Sequence, residues 1–142
     1  MKVVFSNTIF FLQKKGGISR YYINLNKQLK KKNINSKIIA PINKNIYLQK
    51  SDLNNFSFFI RRFPLNRFIY KLNNILFSYF LKKDDPDIIH ETYFDNNNLN
   101  ILKNKIKIVT IYDLIHEKFP KFYSKEKSLE KQKILKNIDH FV

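Results

Sequence analysis

The segment LQKKGGISRYY contains residue types that can bring a polyanionic ligand close to the protein backbone. Gly16 and Gly17 are the only glycines of the chain, and they stand side by side just before a helical apolar pattern. Adjacent glycines permit a positive φ and remove the Cβ atoms that keep a bulky ligand away from backbone amides. A helix start adds partial positive charge and unpaired N–H groups, which favour phosphate. The segment predicts either a phosphate-binding loop or a simple tight turn, and it matches neither GxGxxG nor a P-loop.

Two further groups of polar side chains follow short apolar runs of the sequence. HETYFDN comes at the end of the run DIIH, and YDLIHE comes directly after KIVTI. His90, Thr92, Tyr112 and Asp113 lie in these groups and carry side chains that exchange hydrogen bonds with polar ligands. The alternatives are a structural histidine at a strand end and an aspartate that caps a helix or turn. Arg20, one turn into the predicted helix, either faces a ligand or is a solvated helix residue.

The elements that must position these residues follow from the apolar pattern. Continuous apolar runs predict strands, and apolar residues at helical spacing predict helices, in the order β-α-β-α-β-β-α-β. The predicted strands are residues 2–5, 36–40, 87–90, 107–111 and 139–142, and the predicted helices are 18–29, 65–80 and 125–136. The segment between the first strand and the first helix, and residues 43–55, are predicted to be loops. This order favours an α/β fold with a doubly wound parallel sheet, in which ligands bind beyond the carboxyl ends of the strands.

Length and composition limit the classes of protein. A chain of 142 residues that is 44% hydrophobic has the size of one domain with a buried core. The absence of cysteine excludes disulfides and thiolate metal sites, and the three histidines lack metal-ligand spacing, so no metal is predicted. No apolar stretch is long enough for a membrane span, and the polar residues SNT interrupt the N-terminal apolar run, unlike a signal peptide. These features favour a cytoplasmic location.

The formal charge of +16 suggests an anionic partner, either a nucleic acid or a membrane surface. Lysine, asparagine and isoleucine are all abundant and all have AT-rich codons, whereas the chain has only four arginines. Nucleic-acid surfaces usually use arginine for its bidentate geometry, so we interpret much of the charge as codon bias and expect no nucleic-acid partner. Aromatic and basic residues alternate in FSFFIRRFPLNRFIYKL, as in segments at a membrane interface or in a helix with a solvated rim. We expect residues 65–80 to form core, and leave contact of residues 56–63 with an anionic membrane open.

Several segments of the chain, in order, resemble the N-terminal domain of the glycosyltransferase group 1 proteins, the retaining GT-B enzymes of family 4. They are FxxxIFxxQKKGGISRYY, DIIHETYFDN, KIVTIYDLIHEKFPKFY and a helix that ends in IDHFV, and together they cover nearly the whole chain. In that family two Rossmann-like domains face each other across a cleft. The C-terminal domain holds the nucleotide-sugar, and the N-terminal domain supplies the acceptor site and a glycine loop that approaches the donor phosphates. The resemblance implies that residues 1–142 are an acceptor-side domain, truncated before the donor-binding domain and inactive alone.

The resemblance implies roles for the residues at the start of the predicted helix and at one strand end. Gly16 and Gly17 would let backbone amides meet the donor diphosphate, and Arg20 would face the same cleft. His90 and Thr92 match the HxTY segment of the family and would line the acceptor pocket.

At the other strand end, Tyr112 and Asp113 would be the catalytic candidates. Many relatives carry histidine, in a Thr-x-His-Asp pattern, where this chain has Tyr112. A phenol can hydrogen-bond a sugar hydroxyl, but it cannot act as an acid or base near neutral pH. Asp113 would bind acceptor hydroxyls or cap a helix, and His116 and Glu117 would fix their loop by hydrogen bonds.

The function that the resemblance implies is sugar transfer with retention, from a nucleotide-sugar donor to an acceptor hydroxyl. The acceptor would be a glycan or lipid-linked oligosaccharide of the cell envelope, at the cytoplasmic face of the plasma membrane. The nucleotide-sugar is a substrate, so no cofactor is predicted. One alternative is a truncated, non-catalytic basic module that binds anionic membrane or nucleic acid. The other is a different Rossmann-like nucleotide binder, which the lack of a GxGxxG fingerprint argues against.

Overall fold

The fold is built on a five-stranded parallel sheet. The computed structural model describes residues 1–51, 57–60, 67–94, 104–113, 115–122, 131–132, 135–136 and 138–142. In chain order the described elements are β1 (Lys2–Phe5), α1 (Thr8–Leu12), α2 (Gly17–Lys31), β2 (Asn35–Ile38), β3 (Ile42–Asn43), α3 (Ile46–Gln49), β4 (Phe58–Phe59), α4 (Arg67–Asp84), β5 (Ile88–Glu91), β6 (Ile106–Val109), α5 (Ile115–Lys118), a 3₁₀ turn (Pro120–Phe122) and β7 (His140–Phe141).

The strand order of the main sheet is β2-β1-β5-β6-β7, and every neighbouring pair is parallel. The chain adds β2 on one side of β1 and then returns to add β5, β6 and β7 on the other side. The direction of winding therefore changes between β1 and β5, where ligands of open α/β sheets commonly bind beyond the carboxyl ends. The predicted α/β fold with a parallel sheet is confirmed, and its order is compatible with a Rossmann-like fold. Strands β3 and β4 form a separate parallel pair.

Helices α2 and α4 cover opposite faces of this sheet. Side chains alternate between the two faces along a strand, so neighbours in β1 belong to different core clusters. Phe5 packs in the same cluster as Tyr22 of α2, whereas Val4 packs in a cluster with Phe77 and Leu81 of α4. Burial of each large apolar side chain stabilises the fold by about 1.5–3 kcal/mol.

Helix α2 begins and ends through backbone interactions. Its N-cap residue, Gly16, supplies no side-chain hydrogen bond. At its C-terminal end, Asn33 adopts a positive φ of 58°. The N–H of Ile34 donates to the carbonyl of Leu29, and the N–H of Asn33 donates to that of Lys30. These two bonds form a Schellman motif, which ends α2 at Lys31. The apolar spacing predicted a helix that ends at residue 29.

Two segments predicted to be loops contain short helices, so those predictions were wrong. Helix α1 follows β1 directly, and Ile9, Phe10 and Phe11 are buried within it. Within residues 43–55, α3 is capped by Asn45, whose side chain accepts hydrogen bonds from the backbone N–H groups of two following residues. Elements of four or five residues are too short to show helical periodicity, and tertiary packing stabilises them instead.

The prediction that the apolar residues of 65–80 form core was half wrong. One face of α4 is buried, and Ile69, Phe77 and Leu81 point into the core. A second set of apolar residues faces solvent, with exposed fractions of 72% for Phe68, 40% for Leu72, 65% for Ile75 and 61% for Tyr79. Helical spacing identifies apolar faces but does not tell which of them another element covers.

The remaining predictions concern the C-terminal part of the chain and the membrane. The helix predicted for residues 125–136 lies mostly outside the described residues, although residues 131, 132 and 135 are helical. Residues 52–56 and 61–66 also lie outside, so the prediction of a membrane contact at 56–63 stays open. Among the helices that the structure describes, none combines the length and apolarity that a membrane crossing requires.

Candidate functional site

The candidate site lies at the carboxyl ends of β1, β5 and β6, where α2 begins. The ring of Tyr22, in the second turn of α2, joins these elements. Its centroid is 5.6 Å from that of Phe5, 5.2 Å from that of His90 and 6.2 Å from that of Tyr112. Two residues predicted from different strand ends, His90 and Tyr112, are therefore brought together around one helix residue.

His90 is a buried, uncharged member of this cluster. Its Nε2 lies 2.9 Å from Oγ1 of Thr110, and its ring also stacks at a tilt against Phe5. Burial lowers the pKa of His90 to about 4, because the imidazolium would lose its hydration. The side chain is therefore neutral near pH 7, and it exchanges hydrogen bonds instead of carrying charge.

The two phenols of the cluster are held in their protonated form. The hydroxyl of Tyr22 donates to the backbone carbonyl of Glu91 at 3.1 Å, and burial raises the pKa of Tyr22 to about 12. Burial, together with the neighbouring Tyr22, also raises the pKa of Tyr112. The Tyr112 ring is 36% exposed and meets the ring of Tyr21 edge-on at 5.8 Å. Tyr112 therefore cannot act as a base near neutral pH, and the hydroxyls of Tyr22 and Thr110 lie within hydrogen-bonding reach of its own.

Thr92 holds the strand ends together from a fully buried position. Its Oγ1 donates to the carbonyl of Ser6 at 3.1 Å and accepts from the N–H of Ile9 at 3.1 Å. Its backbone N–H donates to Oγ of Ser6 at 2.9 Å. These bonds connect the end of β5 to the end of β1 and to the start of α1. The hydroxyl thus fixes the geometry beneath the predicted acceptor pocket and does not face solvent.

Asp113 hydrogen-bonds the start of α5. Its Oδ1 accepts a hydrogen bond of 3.2 Å from the N–H of Ile115, and its backbone carbonyl accepts one of 2.8 Å from Nζ of Lys131. This is the capping arrangement that the sequence left as the alternative to acceptor binding. The side chains of His116 and Glu117 lie outside what the structure describes, so their predicted loop-fixing role stays a prediction.

The glycine pair is not used for unusual backbone geometry. Gly16 is extended with φ 178°, and neither glycine adopts the left-handed φ that adjacent glycines permit. A Cβ atom added to Gly16 would clash with Oε1 of Gln13, at the far end of a flexible side chain. A Cβ atom added to Gly17 would meet no atom within 4 Å. The fold itself therefore gives no reason for glycine at position 17.

The start of α2 is open and carries positive charge. No side chain caps it, and its first turn contains no acidic residue. Ser19 is turned inward, where its hydroxyl donates to the carbonyl of Gly16 at 3.0 Å. Arg20 is exposed and forms no ion pair with the described residues. The free N–H groups of the first turn and the Arg20 guanidinium can both interact with an anion in this region.

Sequence reasoning missed three participants in this site. Tyr22 was counted only as one apolar position of a helix face, although it contacts both predicted strand ends. Ser6 and Glu91 are buried polar residues at the ends of β1 and β5. Strand pairing brings Ser6 to Thr92, and the packing of α2 on the sheet brings Tyr22 to Glu91. Within the described residues, no group of three or more histidine, aspartate or glutamate side chains is arranged to hold a metal ion.

Comparisons of this chain with protein-family models, with curated proteins and with solved structures find no match.

Proposed function

We propose that the chain is the acceptor-side domain of a retaining GT-B glycosyltransferase. In this proposal it transfers a sugar from a nucleotide-sugar to an acceptor hydroxyl, together with a second, donor-binding domain. The acceptor is a glycan or lipid-linked oligosaccharide of the cell envelope, and the enzyme works at the cytoplasmic face of the membrane. The observation that carries the proposal is the empty space in front of Gly17.

Gly17, the first residue of α2, requires a physical explanation. It costs stability relative to alanine, by about 0.5–1 kcal/mol in a helix interior. At Gly17 the backbone is not in a left-handed conformation, and a Cβ atom would meet nothing within 4 Å. A ligand group that approaches the backbone at this point would explain the glycine, because a side chain at position 17 would occupy the space that the ligand needs.

The electrostatics of the same place suit a diphosphate. The helix N-terminus carries roughly half a positive charge, and the exposed Arg20 adds a full one on the first turn. Sugar transfer releases a nucleoside diphosphate, so negative charge builds up on the leaving phosphates as the glycosidic bond breaks. Fixed N–H groups and a guanidinium at that position lower the barrier by stabilising this charge.

The aromatic cluster beside the loop suits a sugar. Tyr112 and Tyr21 are both partly exposed at the rim, where phenol hydroxyls can exchange hydrogen bonds with sugar hydroxyls. The neutral His90 packs against Tyr22, and the ring of Tyr22 contacts both of these tyrosines. In this proposal these residues orient the reacting groups, and positioning is their contribution to catalysis.

A transfer assay with one substitution tests the proposal. The protein from the complete reading frame is supplied with radiolabelled nucleotide-sugars and membrane extracts as acceptor source. Gly17→Val should reduce transfer at least a hundredfold and leave the melting temperature within a few degrees. Asn24→Val places the same side chain at another exposed position of α2 and should leave transfer unchanged.

The two ways of failing are distinct. Full transfer by the Gly17→Val protein would remove the proposed role of the loop. The absence of transfer by the unsubstituted protein from uridine, guanosine and thymidine diphosphate sugars would contradict the proposed function.

A further inference from the structure

We propose that the solvent-facing side of α4 docks on an anionic lipid bilayer. The surface consists of the four exposed apolar residues of this helix, which we call the outer stripe: Phe68, Leu72, Ile75 and Tyr79. The inference rests on exposure and charge alone and does not depend on the proposed sugar transfer.

The outer stripe forms a continuous band along the helix. At about 100° per residue, its four members fall within roughly 60° of the helix circumference. From Phe68 to Tyr79 the band is about 16 Å long, at about 1.5 Å per residue. It lies on the side of α4 opposite Phe77 and Leu81, which pack on the sheet. A folded protein that leaves such a band exposed commonly uses it for binding.

Basic residues border the outer stripe on both sides. On the helix circumference Arg67, Lys71 and Lys82 lie on one side of it and Lys83 lies on the other, and all four are exposed. The single acidic residue of α4, Asp84, points instead toward Lys2 and Lys37, with which it forms ion pairs. The outer surface of α4 therefore combines an apolar band with four positive charges and no negative charge.

This combination favours a bilayer over a protein partner. A helix with aromatic and aliphatic residues on one face, flanked by lysine and arginine, lies in the membrane interface with its apolar side among the acyl chains. Anionic headgroups attract each nearby Lys or Arg by about 1 kcal/mol. A second copy of this chain would bring the same positive charges against the stripe, and the net charge of +16 increases that repulsion.

A single tryptophan can report where the helix lies, because the chain contains none. Phe68→Trp places the reporter in the outer stripe. Gln28→Trp is the matched control at an exposed position of α2, on the opposite face of the sheet. Both proteins are mixed with vesicles of phosphatidylcholine containing about one third phosphatidylglycerol, with and without brominated acyl chains. Bromine should quench the fluorescence of the Phe68→Trp protein at least threefold more strongly than that of the Gln28→Trp protein.

Charge reversal tests the electrostatic part independently. Lys71→Glu with Lys82→Glu should weaken binding to the same vesicles at least thirtyfold, because each lost lysine removes about 1 kcal/mol of attraction and each new carboxylate adds repulsion. Lys27→Glu with Lys30→Glu makes the same change of net charge on α2 and should weaken binding much less. Sedimentation of the vesicles gives the bound fraction, and binding to pure phosphatidylcholine should be at least tenfold weaker.

Three results would overturn the inference. They are equal quenching of the two tryptophan-containing proteins, equal weakening by the two charge reversals, and no binding to anionic vesicles. A fourth result, from light scattering on the free protein, would also overturn it: a dimer that Phe68→Ser converts to monomer would show that a second copy covers the outer stripe. All substituted side chains are exposed, so each variant should keep the melting temperature of the unsubstituted protein.

Discussion

Acidification from about pH 8 to about pH 5 should destabilise the protein through His90. The folded state holds the pKa of this buried imidazole at about 4, against 6.5 for an ordinary histidine. The unfolded chain therefore binds a proton at a higher pH than the folded protein does. The stability that His90 contributes is complete above about pH 6.5, and it is lost as the pH falls from there toward 4.

The size of the loss follows from the two pKa values. At about pH 5 the unfolded imidazole is almost fully protonated and the folded one is still mostly neutral, so the free energy of unfolding falls by about 2 kcal/mol. Asp84 does not contribute in this range. Burial alone would raise its pKa, but the hydrogen bonds and charges of Lys2 and Lys37 outweigh burial and lower it, so its effect appears only below about pH 4.

Urea unfolding followed by circular dichroism, repeated at several pH values, measures this loss. His90→Gln removes the titrating group and should reduce the pH dependence between pH 8 and 5 by about 2 kcal/mol. If the unsubstituted protein and the His90→Gln protein lose the same stability over this range, the burial of a neutral imidazole at the strand end is refuted.

Two further predictions concern stability. Gly17→Ala should stabilise the fold by about 0.4–1 kcal/mol in thermal unfolding, because the added methyl group meets open space and the unfolded chain loses freedom; a destabilised protein would contradict the open geometry. Thr92→Val should cost about 2 kcal/mol, because buried polar groups of Ser6 and Ile9 lose their partner. Ser78→Ala, which removes only a local bond to the Asn74 carbonyl, should cost less than about 1 kcal/mol, and equal costs would contradict the role assigned to Thr92.

The sheet could be predicted from the sequence because its strands are continuous apolar runs. The run in residues 2–5 coincides with β1, and the runs near residues 88 and 107 coincide with β5 and β6 to within two residues. Helix α2 could be predicted as well, because fifteen residues show their apolar spacing clearly. Helices α1 and α3 could not, since their few residues form a helix only because the rest of the fold packs against them.

The candidate site could be predicted in its positions but not in its connections. His90 and Tyr112 were expected at strand ends, and both are there. The contacts of Tyr22 with both residues, and the bonds of Thr92 to Ser6 across 86 residues of sequence, depend on which strands become neighbours in the sheet. The apolar spacing of α2 could not show whether Tyr22 only fills the core or also contacts the residues of the candidate site. The outer stripe of α4 was missed for a related reason, because an apolar pattern does not reveal what covers it.

A nuclear magnetic resonance titration of the ¹⁵N-labelled chain with uridine diphosphate tests whether the glycine loop receives a diphosphate. We expect the largest amide shifts at Gly17, Ile18 and Ser19, and no change at these positions with uridine that lacks phosphate. Gly17→Val should abolish these shifts and leave the rest of the spectrum in place. Shifts confined to the lysines at the other end of α2, or no shifts at millimolar ligand, would contradict the claim that the glycine loop receives a diphosphate.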